Sequence, residues 1–158
     1  MQALKQSPSG FSLLETLLWS ALAAVLMAVS LPSVMMMLDR VRLETAVSTW
    51  VEYLQEGRML AIERHEKIYI LPTHAPNWTE GLSLRNDHQL LKQSSALEKS
   101  FSVTWRSFPA QYSYLIFQGN GLLENENGHF VFCYKQLCKT IIVPKGGQAE
   151  VMALPPPR

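Results

Sequence analysis

Residues of the types that usually carry chemistry are few in this 158-residue chain, and their spacing argues against catalysis. The four histidines are scattered, and no pair has zinc-site spacing together with a third ligand. The chain has neither a Gly-x-Ser-x-Gly motif nor a glycine-rich phosphate-binding loop. Glu124 and Glu126 lie in a Gly/Asn-rich segment that is typical of a solvated turn. We therefore expect no enzyme activity, no metal and no cofactor; a site assembled only by the fold is the alternative.

Two cysteines, Cys133 and Cys138, could form a cross-link. Four residues separate them, and the flanking segments Gly128–Tyr134 and Leu137–Val143 predict the two strands of a hairpin. Across a short hairpin loop the two Cβ atoms come within disulfide range. We expect a disulfide if this part of the chain is periplasmic, because that compartment is oxidising. Two buried or idle thiols are the alternative.

Glu15 is the only ionisable residue between Phe11 and Leu38, and Thr16 to Leu38 carries no charge at all. As a helix, this run of about 23 residues would be roughly 34 Å long, enough to span a bilayer core. A secretory signal has a shorter apolar stretch, so we expect this one to stay in the mature protein. A carboxylate in such a segment costs about 2.5–3.5 kcal/mol and usually has a partner. Alternatively, Glu15 lies in water at the membrane edge, where the helix dipole favours it.

The rest of the chain predicts an α+β fold. Apolar residues recur every three to four positions from Asp39 to about Arg64, which predicts an amphipathic continuation of the helix. Beyond His65 the pattern changes to short strands. Helix first and strands later predict an antiparallel sheet packed against one helix. The predicted strands are 67–71, which ends at Pro72 before a loop over 73–79, then 81–84, 101–105, 114–117, 128–134, 137–143 and about 148–153.

The start of the chain resembles a known processing site. Gly10-Phe11-Ser12-Leu13-Leu14-Glu15 is similar to the motif of type IV prepilins and type II secretion pseudopilins. The resemblance implies that a prepilin peptidase cuts after Gly10 and methylates the new terminal residue, Phe11. It also implies that Glu15 pairs with the Phe11 amine of a neighbouring subunit and so helps to set the axial register. The proline at position 32, about 21 residues after the cut, matches many members of the family.

The part of the chain that follows the apolar run resembles the FimT/FimU minor pilins and the H pseudopilins of type II secretion (GspH/FimT). The resemblance is carried by Gly57-Arg58-Met-Leu-Ala61-Ile62, by Ile116-Phe117-Gln-Gly-Asn-Gly121 and by the glycine turn Gly146-Gly147. It implies a type IV pilin-like fold with a long N-terminal helix on an antiparallel β head. The implied parts are a leader at 1–10, a transmembrane or filament-core helix at 11–38, an amphipathic helix at 39–64, a β-rich head at 65–153 and a disordered tail at 154–158.

The resemblance also implies a location and partners. The protein would cross the inner membrane once, contact its lipid and hold its head in the periplasm. It would then act near a filament tip with other minor pilins or pseudopilins and the major pilin. A FimT/FimU-like minor pilin is the first expectation, and the H pseudopilin is the second.

Two further alternatives concern different functions. Some FimT proteins bind DNA through a Gly-Arg-x-Arg element, but the corresponding stretch here, residues 146–150, has no arginine. Lys135, Lys139 and Lys145 lie nearby and could contact phosphates, although a solvated face is the plainer interpretation. The near balance of 14 basic and 13 acidic residues adds no argument for nucleic acid. The other alternative is a signal-anchored periplasmic enzyme or binding protein, which predicts no processing at Gly10.

Overall fold

A computed structural model describes residues 12–108, 112–124 and 127–153. The expected leader at 1–10, the cleavage residues Gly10 and Phe11 and the expected tail at 154–158 therefore lie outside the described residues. The chain divides into two compact units, Met1–Leu38 and Asp39–Arg158.

Helix α1 extends from Leu13 to Arg64 and contains Pro32. Its second part, from Asp39 onwards, has the predicted amphipathic pattern, since the charged side chains of Glu44 and Glu52 are exposed. The opposite face is buried in the head and carries Leu43, Ala46, Val47, Trp50, Leu54 and Ala61. This burial confirms the predicted apolar stripe as the surface on which the sheets pack.

The strands of the described residues follow the helix without interruption by another helix. They are β1 (Ile68–His74), β2 (Asn77–Arg85), β3 (Leu90–Gln93), β4 (Phe101–Phe108), β5 (Leu115–Phe117), β6 (Asn127–Tyr134), β7 (Leu137–Val143) and β8 (Glu150–Ala153). All their pairings are antiparallel. The expected α+β class, with one long helix and antiparallel strands, is confirmed. The strands form two four-stranded sheets, in the orders β3-β2-β1-β5 and β4-β6-β7-β8, where the sequence predicted one.

The predicted end of the first strand at Pro72 is wrong. Strand β1 continues through Pro72 to His74, and the expected loop over 73–79 shrinks to the turn at residues 75 and 76. A strand in the middle of a sheet forms hydrogen bonds with a neighbouring strand on each side. Proline has no backbone N–H to donate, so it is tolerated where a neighbouring strand is missing on one side. Strand β5 pairs only with Ile68 to Ile70, so no strand lies beside Pro72 on that side. The missing donor is tolerated there, and the register shifts between Pro72 and His74.

Several other strand bounds differ from the prediction. Strand β3 was not predicted at all; its side chains are mostly exposed, and it pairs only with β2 at the edge of its sheet. Strand β4 runs three residues beyond Trp105 to Phe108, with strict alternation of buried and exposed side chains. The last strand begins at Glu150 rather than near residue 148. Edge strands are held by few contacts, so the sequence defines their ends poorly.

An aromatic cluster fills the space between the helix and the sheets. The ring of Trp50 lies 5.9 Å from that of Trp78, 5.2 Å from Phe130 and 4.9 Å from Phe132, measured between centroids. The centroid of the Trp105 ring lies 4.4 Å from that of Phe130. Such tilted and edge-to-face pairs are the favoured aromatic arrangements. Trp50, Trp78 and Trp105 are all buried and belong to the hydrophobic core.

Gly57 lies where the helix packs closely against the first sheet. A Cβ atom on Gly57 would lie 3.0 Å from Cδ1 of Ile70 and 3.4 Å from Cδ2 of Leu84. Glycine in a helix costs about 1 kcal/mol relative to alanine. The close approach gives that cost a structural reason, because it lets strands β1 and β2 pack directly on the helix backbone.

Candidate functional site

The first candidate site is the apolar surface of the unit Met1–Leu38. No side chain described between Leu13 and Leu38 is buried, and Leu13 and Met36 are 77% and 71% exposed. By length and composition, α1 contains a segment able to cross a membrane, with a mean hydropathy of 2.2. Exposed apolar surface on this scale marks contact with lipid or with another protein.

Glu15 lies in the first turn of α1 and is exposed. Its backbone N–H donates to the Ser12 carbonyl at 2.9 Å, so the peptide groups of this turn are engaged while the carboxylate projects from the helix surface. Among the described residues, the carboxylate has no ion pair or hydrogen bond. A helix N-terminus stabilises a negative charge by roughly 0.3–1 kcal/mol, which is less than the cost of bringing that charge into a bilayer. An external cation would therefore be favourable here.

The second candidate site is the tip of the hairpin formed by β6 and β7. Cys133 and Cys138 face each other in register and are joined by a disulfide, with Cα atoms 4.2 Å apart. The turn between them places Lys135 at φ 53°, in the left-handed region. Few residues other than glycine and asparagine adopt this conformation readily, so the short cross-linked loop helps to hold it.

Two contacts tie this tip to the helix. The Lys135 ammonium lies 2.6 Å from Oδ2 of Asp39, and this hydrogen bond raises the pKa of Lys135 above its ordinary value. Nη1 of Arg42 donates to the Tyr134 hydroxyl at 2.9 Å, and that bond raises the pKa of Arg42. The Tyr134 hydroxyl is also 3.5 Å from Oε2 of Glu98. Local spacing in the sequence does not signal the two contacts with the helix, because Asp39 and Arg42 lie more than 90 residues from Lys135 and Tyr134.

Two of the three lysines considered for DNA contact are held in ion pairs with acidic side chains of the helix. Lys135 is engaged with Asp39, and Lys139 lies 3.1 Å from Oε1 of Glu44. The Lys145 side chain has no ion pair within the described part of the chain, while its backbone N–H donates to Asn127. Two of the three charges are thus neutralised by the helix. The structure does not bring the lysines together as an unpaired basic patch.

His74 and Glu124, two of the residues considered for catalysis and metal binding, are exposed and form ion pairs. His74 pairs with Glu80 at 2.9 Å, and Glu124 pairs with Lys67 at 2.9 Å. Glu126 lies outside the described residues. Within the described ranges, no group of three or more histidine, cysteine or acidic side chains could hold a metal ion.

Comparison with known proteins gives matches in structure only. No protein-family model and no curated protein sequence matches the chain. The crystal structure of the type IV minor pilin FimU of Pseudomonas aeruginosa matches with a TM-score of 0.60 and 18% identity. The match covers 73% of this chain and 90% of FimU.

A second crystal form of FimU gives a TM-score of 0.59 at 17% identity. The minor pseudopilin EpsH of the type 2 secretion system of Vibrio cholerae matches with a TM-score of 0.54 and 12% identity. That match covers 70% of this chain and 95% of EpsH. Likenesses at such low identity concern the fold, and the chain therefore has the type IV pilin-like fold, with one long N-terminal helix packed on antiparallel sheets.

Proposed function

We propose that this chain is a minor pilin of the FimT/FimU kind, a subunit that helps to start or cap a filament. The observation that carries the proposal is the exposed apolar surface of Leu13–Leu38, which no described residue of the chain covers. Such a segment needs lipid while the subunit waits in the inner membrane and other helices once it enters a filament. The likeness in fold to FimU supports this choice.

Processing prepares the subunit for assembly. A prepilin peptidase cuts between Gly10 and Phe11 and methylates the new amine. The resulting positive charge on Phe11 of one subunit neutralises Glu15 of its neighbour. In low dielectric an isolated carboxylate is costly, so the pair forms only when the two helices are in register. Misaligned subunits would leave the charge unpaired, and register is thereby selected.

Assembly itself needs no catalysis by this chain. The helix moves laterally in the inner membrane with the periplasmic head attached, and the surface of the head selects neighbouring minor pilins and the major pilin. A separate motor then extracts the stack. The chain contributes recognition and a membrane anchor.

Intact mass of the protein extracted from membranes tests the processing. We expect the loss of residues 1–10 and the gain of one methyl group on Phe11. Gly10→Leu is the matched variant and should retain its full-length mass, because a bulky side chain before the scissile bond blocks the peptidase. A full-length mass for the unaltered chain in cells that contain the peptidase would refute the proposed processing.

The role of Glu15 is tested by filament incorporation. Glu15→Ala should be processed and inserted in the membrane but should enter filaments poorly, because the register contact is lost. Leu18→Ile, which keeps an exposed apolar side chain of the same volume on the same part of the helix, is the control and should assemble like the unaltered protein. If both variants entered filaments equally well, the proposed pairing of Glu15 with the Phe11 amine would be refuted.

An H pseudopilin of a type II secretion system is the second candidate. The likeness in fold to EpsH favours it. Complementation separates the two: a minor pilin restores surface pili in a strain that lacks its minor pilin, whereas an H pseudopilin restores secretion. A pilus-tip DNA receptor is less favoured, because Lys135 and Lys139 already pair with acids of the helix.

A further inference from the structure

The outer face of the sheet β4-β6-β7-β8, which points away from the helix, carries an open groove of about 370 Å³. Its apolar lining comes from all four strands: Phe108, Val131, Ile142 and Met152. Phe108 is 72% exposed and Met152 is 54% exposed. No acidic side chain of the described residues lines the groove. Apolar side chains exposed together on one face mark a contact surface.

One row of residues crosses this sheet from edge to edge. Its members are neighbours by strand pairing and lie at the same height: Arg106 on β4, His129 on β6, Ile142 on β7 and Glu150 on β8. Neighbouring strands are about 4.8 Å apart, so the two ends of the row are separated by about 14 Å. The row therefore has a positive charge at the β4 edge and a negative charge at the β8 edge.

Both charged residues lie on the face of the groove and are unpaired. Phe108 lines the groove two positions after Arg106, and side chains alternate across a strand, so Arg106 shares that face. Met152 fixes the face of Glu150 in the same way. Both charged side chains are exposed, and neither has an ion pair or hydrogen bond within residues 12–108, 112–124 and 127–153. They are too far apart in one copy to form an ion pair with each other.

A second copy satisfies both charges at once if it packs face to face about a two-fold axis parallel to the strands. Such an axis, placed between β6 and β7, reverses the strand order in the second copy, so β8 of each copy covers β4 of the other. Because Arg106 and Glu150 belong to one row, each arginine then meets the glutamate of the other copy. The row that contains Thr104 and Met152 brings these two residues together in the same way. Every contact is made twice in an arrangement of this symmetry.

The same axis agrees with two anchors in one membrane. Lys135 pairs with Asp39 and Lys139 with Glu44, so β7 runs from its hairpin tip in the same direction as the helix. A two-fold axis parallel to the strands therefore leaves the Asp39 ends of both copies on the same side. An axis across the strands, along the row, would turn one copy over and would set Arg106 against Arg106 of the second copy.

We propose that the outer face of this sheet is an interface between two copies of the chain, with Arg106 of each copy bound to Glu150 of the other and the apolar groove closed between them. The proposal goes beyond the proposed function, because it concerns the head rather than the apolar segment. The four strands and the rows used give roughly 250 Å² per copy, which is small for a stable interface. Anchoring in one membrane raises the effective concentration of the second copy, so we expect the dimer in membranes.

Photo-crosslinking of the full chain tests the contact. A tagged copy with p-benzoylphenylalanine in place of Thr104 is co-expressed with an untagged copy, and the membranes of the cells are irradiated. Gln93 replaced in the same way is the matched control, since it is exposed on strand β3 of the other sheet. We expect several-fold more covalent dimer from position 104 than from position 93, with the cross-link mapped to strand β8 of the second copy.

Charge reversal identifies the ion pair in the same assay. Arg106→Glu alone and Glu150→Arg alone should each lower the yield of dimer several-fold, because two identical copies then oppose like charges. Arg106→Glu copies mixed with Glu150→Arg copies should restore the yield, since both contacts between unlike copies again have opposite charges. Restored cross-linking also shows that both variants fold. Arg85→Glu, at an exposed arginine of the other sheet, is the control and should leave the yield unchanged.

Three results would overturn the proposal: equal yields from positions 104 and 93, cross-links mapped outside β8, or no recovery of the yield in the mixture. Processing is read separately from the intact mass of the chain. A processed chain without these cross-links therefore refutes the interface and leaves the proposed function standing.

Discussion

The ammonium of Lys135 and the carboxylate of Asp39 lie 2.6 Å apart, although 96 residues separate them in the sequence. Their contact joins the tip of a disulfide-closed hairpin to the first residue of the unit that begins after Leu38. Arg42 and Tyr134 make a second bond one turn further along the helix. The hairpin tip therefore fixes the start of the head's helix, at the point where the apolar segment ends.

The first prediction concerns the pH dependence of this contact. The hydrogen bond to Asp39 raises the pKa of Lys135, so the folded state holds this proton more tightly than the unfolded state does. The stability it contributes is fully present below the ordinary lysine pKa of about 10.4 and is lost as the pH rises through the higher folded pKa. Thermal unfolding of the full chain in detergent, measured between pH 8 and 11.5, should show the loss.

Lys135→Met should weaken this alkaline fall in melting temperature. It should not abolish it, because the pKa values of Lys67 and Lys92 are also raised by their bonds to Glu124 and Glu56. Lys99→Met is the control, since Lys99 is exposed and has no ion pair in the described part of the chain. An identical pH profile for Lys135→Met and the unaltered chain would contradict the role assigned to the ion pair.

The second prediction concerns Gly128, over which the indole of Trp105 lies. A Cβ atom there would come within 1.9 Å of Cη2 of that ring, so alanine can be accommodated only if Trp105 moves. Trp105 packs on Phe130 at 4.4 Å, and overpacking of this kind costs about 1–3 kcal/mol. Urea unfolding should show Gly128→Ala destabilised by that amount or more.

Gly146→Ala provides the matched control for Gly128. Nothing lies within 4 Å of a Cβ atom at Gly146, and its backbone is not left-handed. Its free energy of unfolding should stay within about 0.5 kcal/mol of that of the unaltered chain. If the two variants were equally stable, the close contact of Trp105 with Gly128 would be contradicted.

Much of the fold could be predicted because its signals are local. The apolar run and the spacing of Leu43, Val47, Trp50 and Leu54 predict one helix with a buried stripe, and the structure agrees. The hairpin around the two cysteines has clear alternation and a short turn, and its second strand has the predicted bounds. These elements depend on contacts within one segment of sequence.

Features that depend on distant partners could not be predicted. Whether Pro72 ends a strand is decided by the length of β5, which lies more than 40 residues away and covers only Ile68 to Ile70. The division into two sheets depends on which strands pair, and no local pattern specifies that. The row from Arg106 to Glu150 likewise exists only once strands β4, β6, β7 and β8 are paired. Candidate residues on single elements were foreseeable, whereas their partners were not.

The third prediction concerns the disulfide. Replacing both cysteines by serine should lower the free energy of unfolding by about 2 kcal/mol, because the bridge closes a loop with a sequence separation of only 5. In the same variant, amide exchange should quicken at Tyr134 and Lys135 and in the helix near Asp39, since the hairpin tip is then less restrained. Ser102→Ala, opposite Cys133 on β4, is the control and should leave both measurements nearly unchanged. Unaltered exchange at the tip would show that the bridge does not hold it.

The fourth prediction concerns Trp50, which links the helix to both sheets. It is 1% exposed and contacts Trp78 of one sheet and Phe130 and Phe132 of the other. Removing a buried side chain of this size costs about 3–5 kcal/mol, because neighbouring groups only partly fill the cavity. Trp50→Ala should therefore unfold at much lower urea concentration.

The control for Trp50 is Met59→Ala, on the same helix but 63% exposed, which should change stability by no more than about 0.5 kcal/mol. Intrinsic fluorescence of the remaining tryptophans gives a second readout. Trp78 and Trp105 should report a looser environment in Trp50→Ala, because the centroid of the Trp50 ring lies 5.9 Å from that of Trp78. If the free energy of unfolding of Trp50→Ala were less than about 1 kcal/mol below that of Met59→Ala, the attachment of the helix would not depend on this contact. Its attachment would then depend on the ion pairs of Asp39 and Glu44.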